Sequence, residues 1–187
     1  MRKPKETIAA RCRHLASGGY VLWMEKTSSS DRSVYDVSVI TPQLLIAARP
    51  HSHHVDHVCG LEVQLVVSMI GVEPPCELAN RAVRVLRLPV YDNWFLPIPL
   101  SALRRGVDAA LPVLAAGGRV LVYCRAGRHR SVAMAACILI AQGMSADAAM
   151  DTIVARRPSA DPRAWHIERR IRAFEREWQS LHPVTPL

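Results

Sequence analysis

Aromatic residues are scarce in this 187-residue chain: four Trp, four Tyr and two Phe amount to 5%. No stretch interleaves them with basic residues, which weakens a single-stranded nucleic-acid reading, since such binding stacks bases on aromatic rings. Acidic residues are also few, 16 against 24 Lys and Arg, leaving a formal net charge of +8 at pH 7 and a pI near 9.8. That excess favours anionic partners such as phosphorylated substrates, acidic lipid surfaces or nucleic acid. The charge is spread along the chain without a recognition motif, so nucleic acid is not an expected partner. The cysteines (Cys12, Cys59, Cys76, Cys124 and Cys137) are odd in number and irregular in spacing. They form neither a disulfide framework nor a paired C-x2-C metal site, and a reducing, cytoplasmic setting is expected. Long apolar runs are missing as well. The longest, "SVAMAACILIA" (131–141), falls short of the roughly 20 residues a bilayer crossing needs and reads as a buried helix, so no integral membrane segment is expected. The start, "MRKPKETIAARCRHLASGG", is basic but lacks a continuous apolar stretch, which argues against a secretory leader. An organelle transit peptide stays open, with Glu6 counting mildly against it.

What is present is a globular composition, 50% hydrophobic and 21% charged. The length suits one domain, able to bury about 70% of its unfolded surface. Residues 1–18 read as a basic extension with a short helix ending at Gly18-Gly19. Strands are expected at 20–24, 34–40, 44–48, 63–69, 83–88 and 119–124, from β-branched or alternating apolar runs bounded by turn residues. Helical patterns cover 100–116, 130–143 and 145–158, the last with Ser145 as N-cap and Asp147 in its first turn. A final helix over 163–180 carries Ile167, Ile171, Phe174, Trp178 and Leu181 as one apolar stripe, with a charged face reading as solvated surface. Strands followed by strand–helix alternation imply an α/β fold, a central and mostly parallel sheet flanked by helices.

The chemistry concentrates in "VYCRAGRHRS" (122–131). Cys124 ends a hydrophobic strand, and Arg125, Arg128, His129 and Arg130 follow before a helix begins. Such cations repel one another unless an anion lies among them. The backbone amides of 125–130, with a helix N-terminus beneath them worth about half an elementary charge, can curl into a nest for a tetrahedral oxyanion. Gly127 lets the chain bend tightly against that ligand, and the planar fork of Arg130 can hold two phosphate oxygens. The same field lowers a thiol pKa from about 8.5 into the range of roughly 3.5–7.5. Cys124 then becomes a nucleophile under a bound phosphorus, with Ser131 placed to stabilise its thiolate as a leaving group.

This stretch resembles the C-x5-R-[ST] signature of the protein tyrosine phosphatase superfamily. Its context, "RVLVYCRAGRHRSVAMAACILIAQGMSADAAMDTIVARRP", is most similar to the dual-specificity branch: strand, phosphate loop, apolar helix, "MS" turn, second helix and "RP" in that order. The resemblance covers about residues 34–180. It implies a single phosphatase domain over 1–187 and a cysteinyl-phosphate intermediate, with no metal and no cofactor. Cys124, Arg130, Asp92 and Ser131 are the implied catalytic residues, and Arg125, Ala126, Gly127, Arg128 and His129 bind phosphate or substrate. The family's general acid is an aspartate about thirty residues upstream, and "LPVYDNW" offers Asp92, 32 residues before Cys124. Read by itself, Asp92 with Asn93 is also an ordinary surface turn, and Asp36, Asp56 and Asp108 are the fallbacks. One departure is Tyr123 where the family commonly has histidine, which points to a less acidic Cys124.

The expected partner is a phosphorylated protein or peptide. The alternative is an anionic inositide or inositol polyphosphate, because Arg125 and Arg128 stand where phosphoinositide phosphatases of this superfamily carry lysines. Two rival readings are a phosphate-binding module without turnover and a zinc hydrolase using the histidines of "PHSHHVDHVCG" (50–60). The second approaches HxHxDH, but Ser52 stands where its first histidine belongs. Trp94 and Phe95 either line the substrate mouth or anchor the loop that carries Asp92. Cys137 reads as inert packing.

Overall fold

Apart from the final serine of LVVS, the segments LLIA, LVVS and VLVY show no alternation of apolar and polar side chains, the pattern of strands covered on both faces. The computed structural model describes residues 34–75, 78, 83–93 and 95–183, which lie in one compact unit, Arg32–Leu187. Those three segments become β2 (Leu44–Ala47), β3 (Leu65–Ser68) and β5 (Val120–Tyr123), every residue of them buried. β1 (Val37–Thr41) and β4 (Arg84–Arg87) are more exposed, as edge strands are. The order across the sheet is β1-β2-β5-β3-β4. β1 runs antiparallel to β2 and the other pairs are parallel, so the mostly parallel sheet holds. β2, β3, β4 and β5 sit inside their expected ranges with shorter ends, whereas β1 starts three residues later than expected and runs one residue past, to Thr41. The expected helix of the N-terminal extension, the strand at 20–24, Cys12 and Cys76 lie outside the described residues.

Parallel strands finish at one rim, which is where such sheets bind ligands. In register, Ala47 of β2 and Ser68 of β3 flank Tyr123 of β5, so Cys124 emerges at the middle of that rim.

Among the described residues, the α-helices defined at both ends are α1 (Val55–Gly60), α2 (Leu100–Ala115), α3 (Arg130–Ala141), α4 (Ala146–Arg156) and α5 (Trp165–Leu181). None of them is long and apolar enough to cross a membrane. From Ser131 to Ile140, α3 is buried all round. It packs against β2 and β5 and touches α2, α4 and α5. Gly106 permits the close approach of α2, because a Cβ there would overlap the Met134 thioether. Ser145 caps α4 as expected, its Oγ accepting from Ala148 N at 3.2 Å.

On α5 the stripe holds at Ile167, Ile171 and Phe174, but Leu181 is 53% exposed, so the apolar seam stops short of it. Nor is the charged face wholly solvated. Arg170 Nε donates to Ile98 O at 2.8 Å, and Glu175 Oε1 accepts from Ala146 N at 2.6 Å. Ile171→Ala is expected to lower the unfolding free energy by about 2–5 kcal/mol and Leu181→Ala by no more than about 0.5 kcal/mol. Urea titration of the two variants checks this.

Candidate active site

The loop between β5 and α3 owes its shape to a side chain from α4's end. Arg157 is 1% exposed. Its Nε donates to Gly127 O at 2.8 Å and its Nη2 to Ala126 O at 3.3 Å. The same guanidinium forks onto Asp36 (Nη1–Oδ1 2.9 Å, Nη2–Oδ2 2.7 Å) and reaches Ser38 Oγ at 3.1 Å. Carbonyl and amide of a peptide plane point in opposite directions. Carbonyls drawn down to Arg157 therefore turn the amides of Gly127 and Arg128 away from it. Gly127 sits at φ +65°, where a Cβ would overlap the guanidinium and come within 2.9 Å of Ala47 O. The position admits only glycine without rearrangement.

Cys124 lies at the start of this loop, 2% exposed. Ser131 Oγ donates to its Sγ at 3.2 Å. Burial alone pushes the thiol pKa up, but the Ser131 hydroxyl and amide, the Arg130 charge and the Ala126 amide outweigh it, and the net shift is downward. The N-cap of α3 is His129, which supplies no side-chain cap, so the first amides of the helix remain available to an anion. Tyr123, in place of the family's histidine, is fully buried, and burial pushes its phenol pKa up. It stays neutral, so the thiolate is favoured by hydrogen bonds from loop and helix rather than by an imidazole next to it in sequence.

Asp92 comes to the same place on the segment between β4 and α2. That segment is tied at one end by Arg130 Nη1 to Val90 O, 3.2 Å, and at the other by Arg170 to Ile98 O. Asp92 Oδ2 lies 3.3 Å from His129 Nδ1 and 3.5 Å from Arg130 Nε, and Oδ1 lies 3.5 Å from His166 Nε2. The three fallback aspartates are elsewhere: Asp36 holds Arg157, while Asp56 on α1 and Asp108 on α2 are exposed. His129, expected among the substrate-binding cations, turns its ring to Asp92 and, at 3.9 Å, to Asp161. Arg128 is exposed, and its carbonyl accepts from Asp161 N at 3.0 Å. Phe95 is 88% exposed and so does not anchor the loop; Trp94 lies outside the described residues.

A cleft of about 560 Å³ opens beside the loop, lined by Arg49, Arg125 and Arg130 and by the apolar Ile70, Val72 and Pro89. Among the described residues, the grouping whose ligand atoms suit a metal is Asp92, His129 and His166, all within 4.8 Å of one another. The Arg130 guanidinium on the same carboxylate opposes a cation there. The histidines of 51–57 form no such group among the described residues. His51 stacks on His53 at 5.7 Å, His53 meets His54 at 4.0 Å, and Tyr35 covers His54 at 5.0 Å. Cys137 is fully buried, and burial pushes its thiol well above the ordinary range, as packing requires and nucleophilic chemistry does not.

A buried, acidified cysteine at the end of a central parallel strand, a loop whose carbonyls are turned inward and an arginine six residues on define a cysteine-dependent phosphatase fold. Comparison with known proteins agrees. The model of the Swiss Army Knife DSP-PTPase phosphatase domain, PTP-SAK, matches residues 36–180. The chain belongs to this family, the dual-specificity branch of the protein tyrosine phosphatases. Human dual specificity phosphatase 28 is 36% identical over 124 residues, 66% of this chain and 69% of that protein. Rat phosphatidylglycerophosphatase and protein-tyrosine phosphatase 1 is 44% identical over 64 residues, only 34% of this chain and 33% of the relative. Among solved structures, PTPMT1 in complex with PI(5)P superposes with a TM-score of 0.69 at 27% identity, covering 78% of this chain and 97% of that one. Human DUSP28 gives a TM-score of 0.69 at 25% identity, over 77% of this chain and 99% of that one.

Sequence reasoning missed Arg157 as the loop's support, His166 against Asp92, and Arg49 in the cleft. Only Arg157 had a sequence signal, the "RP" that closes the quoted motif. Because the Cys124 pKa is lowered, its thiolate forms at a lower pH than that of an ordinary thiol, near 8.5. Ser131→Ala is expected to move the pH midpoint of Cys124 alkylation by iodoacetamide upward. Peptide mass mapping of alkylation rate against pH checks the shift.

Proposed function

We propose that the protein hydrolyses phosphomonoesters through a phosphoryl group carried on Cys124. The observation that carries this is the buried Cys124 Sγ, held at 3.2 Å by Ser131, with Arg130 and Asp92 paired across the loop mouth. The phosphate of the substrate sits on the amides of 125–130 and in the fork of Arg130, with Arg125 at the rim. Sγ attacks phosphorus in line, and the ester oxygen leaves with the proton of Asp92. Such a positioned acid contributes about 10²–10⁴-fold. Asp92, now a carboxylate, takes a proton from water as that water attacks the cysteinyl-phosphate. The S–P bond breaks, Ser131 stabilises the departing thiolate, and inorganic phosphate leaves. Arg130 supports the charge on the equatorial oxygens in both steps. No step uses a metal or cofactor.

The substrate class this favours is the phosphorylated side chain of a protein or peptide, at tyrosine and at serine or threonine, in keeping with a dual-specificity domain. A nucleophile that must stay reduced fits a cytoplasmic setting. Three arginines in one cleft favour a second reading, phosphorylated inositols or their lipids.

Phosphate release with chelator present tests the mechanism on a phosphotyrosine peptide, a phosphothreonine peptide, a phosphoinositide and an inositol polyphosphate. Cys124→Ser is expected to abolish turnover. Asp92→Asn is expected to lower kcat about 10²–10⁴-fold on alkyl esters and much less on p-nitrophenyl phosphate, whose leaving group needs little protonation. Turnover that survives Cys124→Ser, or that chelator removes, would refute the mechanism.

A further inference from the structure

The cleft beside Cys124 holds more positive charge than one phosphate uses. In the reading above, on which this inference rests, Arg130 serves the reacting group. Arg49 and Arg125 line the same cleft, and among the described residues no carboxylate does. Their placement is dictated by the sheet. β2 and β5 are parallel neighbours, and Arg49 and Arg125 follow their ends at the same rim, with Arg49 N donating to Arg125 O at 3.3 Å. Arg49 Nε is buried and makes no hydrogen bond with the protein. A guanidinium N–H withdrawn from water without an acceptor is unfavourable, and the open space beside it is the cleft. The cleft also has an apolar lining, from Ile70, Val72 and Pro89.

We propose that Arg49 and Arg125 form a second anion subsite. It takes a second phosphoryl group on the same small polyol that carries the reacting one, as in an inositol bisphosphate or the headgroup of its lipid. Neighbouring strands lie about 4.8 Å apart, so the two anion positions are side by side. Adjacent ring carbons present their phosphates in that way. An extended peptide matches this spacing less well, since consecutive side chains point to opposite faces and same-face neighbours stand two residues, about 6.7 Å, apart. The apolar lining suits the ring carbons.

The test compares kcat/KM of the full chain on inositol monophosphate, inositol bisphosphate, a phosphoinositide bisphosphate in phosphatidylcholine vesicles, a phosphotyrosine peptide and p-nitrophenyl phosphate. Arg49→Gln is expected to lower kcat/KM on a bisphosphate by about tenfold or more beyond its effect on p-nitrophenyl phosphate, chiefly through KM. Arg49→Lys is expected to restore part of the loss, because it keeps the charge without the fork. Calorimetry on Cys124→Ser, with and without Arg49→Gln, reads the subsite independently of turnover. The bisphosphate is expected to bind more tightly than the monophosphate only when Arg49 is present. Selectivity in either the soluble or the vesicle arm supports the subsite and identifies its source. Equal losses on all substrates, or equal binding of mono- and bisphosphate, overturn it, as does a phosphotyrosine peptide preferred and unaffected by Arg49→Gln. If wild-type protein turns over nothing while the calorimetric difference remains, the subsite stands and the Cys124 mechanism fails.

Discussion

The guanidinium of Arg157, buried beneath the loop that follows the central strand, fixes the shape of that loop, on which the rest of the site is built. It gathers the carbonyls of Ala126 and Gly127 on one side and the Asp36 carboxylate on the other. A buried cation needs such partners, because desolvation without them costs more than packing returns. Its pairing with Asp36 joins α4's end to the β1 edge of the sheet, and the loop is caught between. With the carbonyls turned inward the amides turn outward, and a chain that would otherwise be a flexible turn becomes an anion cradle.

From that cradle follows the balance at Cys124. A thiol so deeply buried ordinarily resists ionisation. Here two groups of Ser131, the amide of Ala126 and the charge of Arg130 reverse the effect. The same burial that makes the thiolate costly also removes competing water, so the few remaining dipoles act in a low-dielectric setting where each counts for more. Arg130 links this to the acid loop, since it holds Val90 O and stands beside Asp92. One side chain therefore connects the Cys124 thiol, the loop and the Asp92 carboxylate, which makes its identity as arginine rather than lysine consequential.

What was legible in the sequence is what local pattern encodes. β3, β5 and α3 are apolar over most of their length, and they stand where their runs predict. The phosphate loop was legible because its six residues are consecutive. The Asp92 position followed from resemblance and not from any pattern of its own. What was illegible depends on partners distant in the chain. Asp36 and Arg157 are 121 residues apart, and Asp36 in isolation passes for a spare acid. Arg49 gains its meaning only when β2 is laid beside β5. His129 read as one more cation for substrate, whereas the fold turns it to Asp92. Leu181 and Arg170 fit the helical pattern of α5 but not its surroundings, because periodicity gives the face of a helix and not where its neighbours end.

The most direct measurement is rapid-quench mass spectrometry of the wild-type chain during turnover of a phosphotyrosine peptide or p-nitrophenyl phosphate. A phosphoryl group on the tryptic peptide containing Cys124, appearing within the first turnover and decaying as inorganic phosphate is released, is the predicted result. Steady release of phosphate with Cys124 unmodified throughout would contradict the cysteinyl-phosphate mechanism.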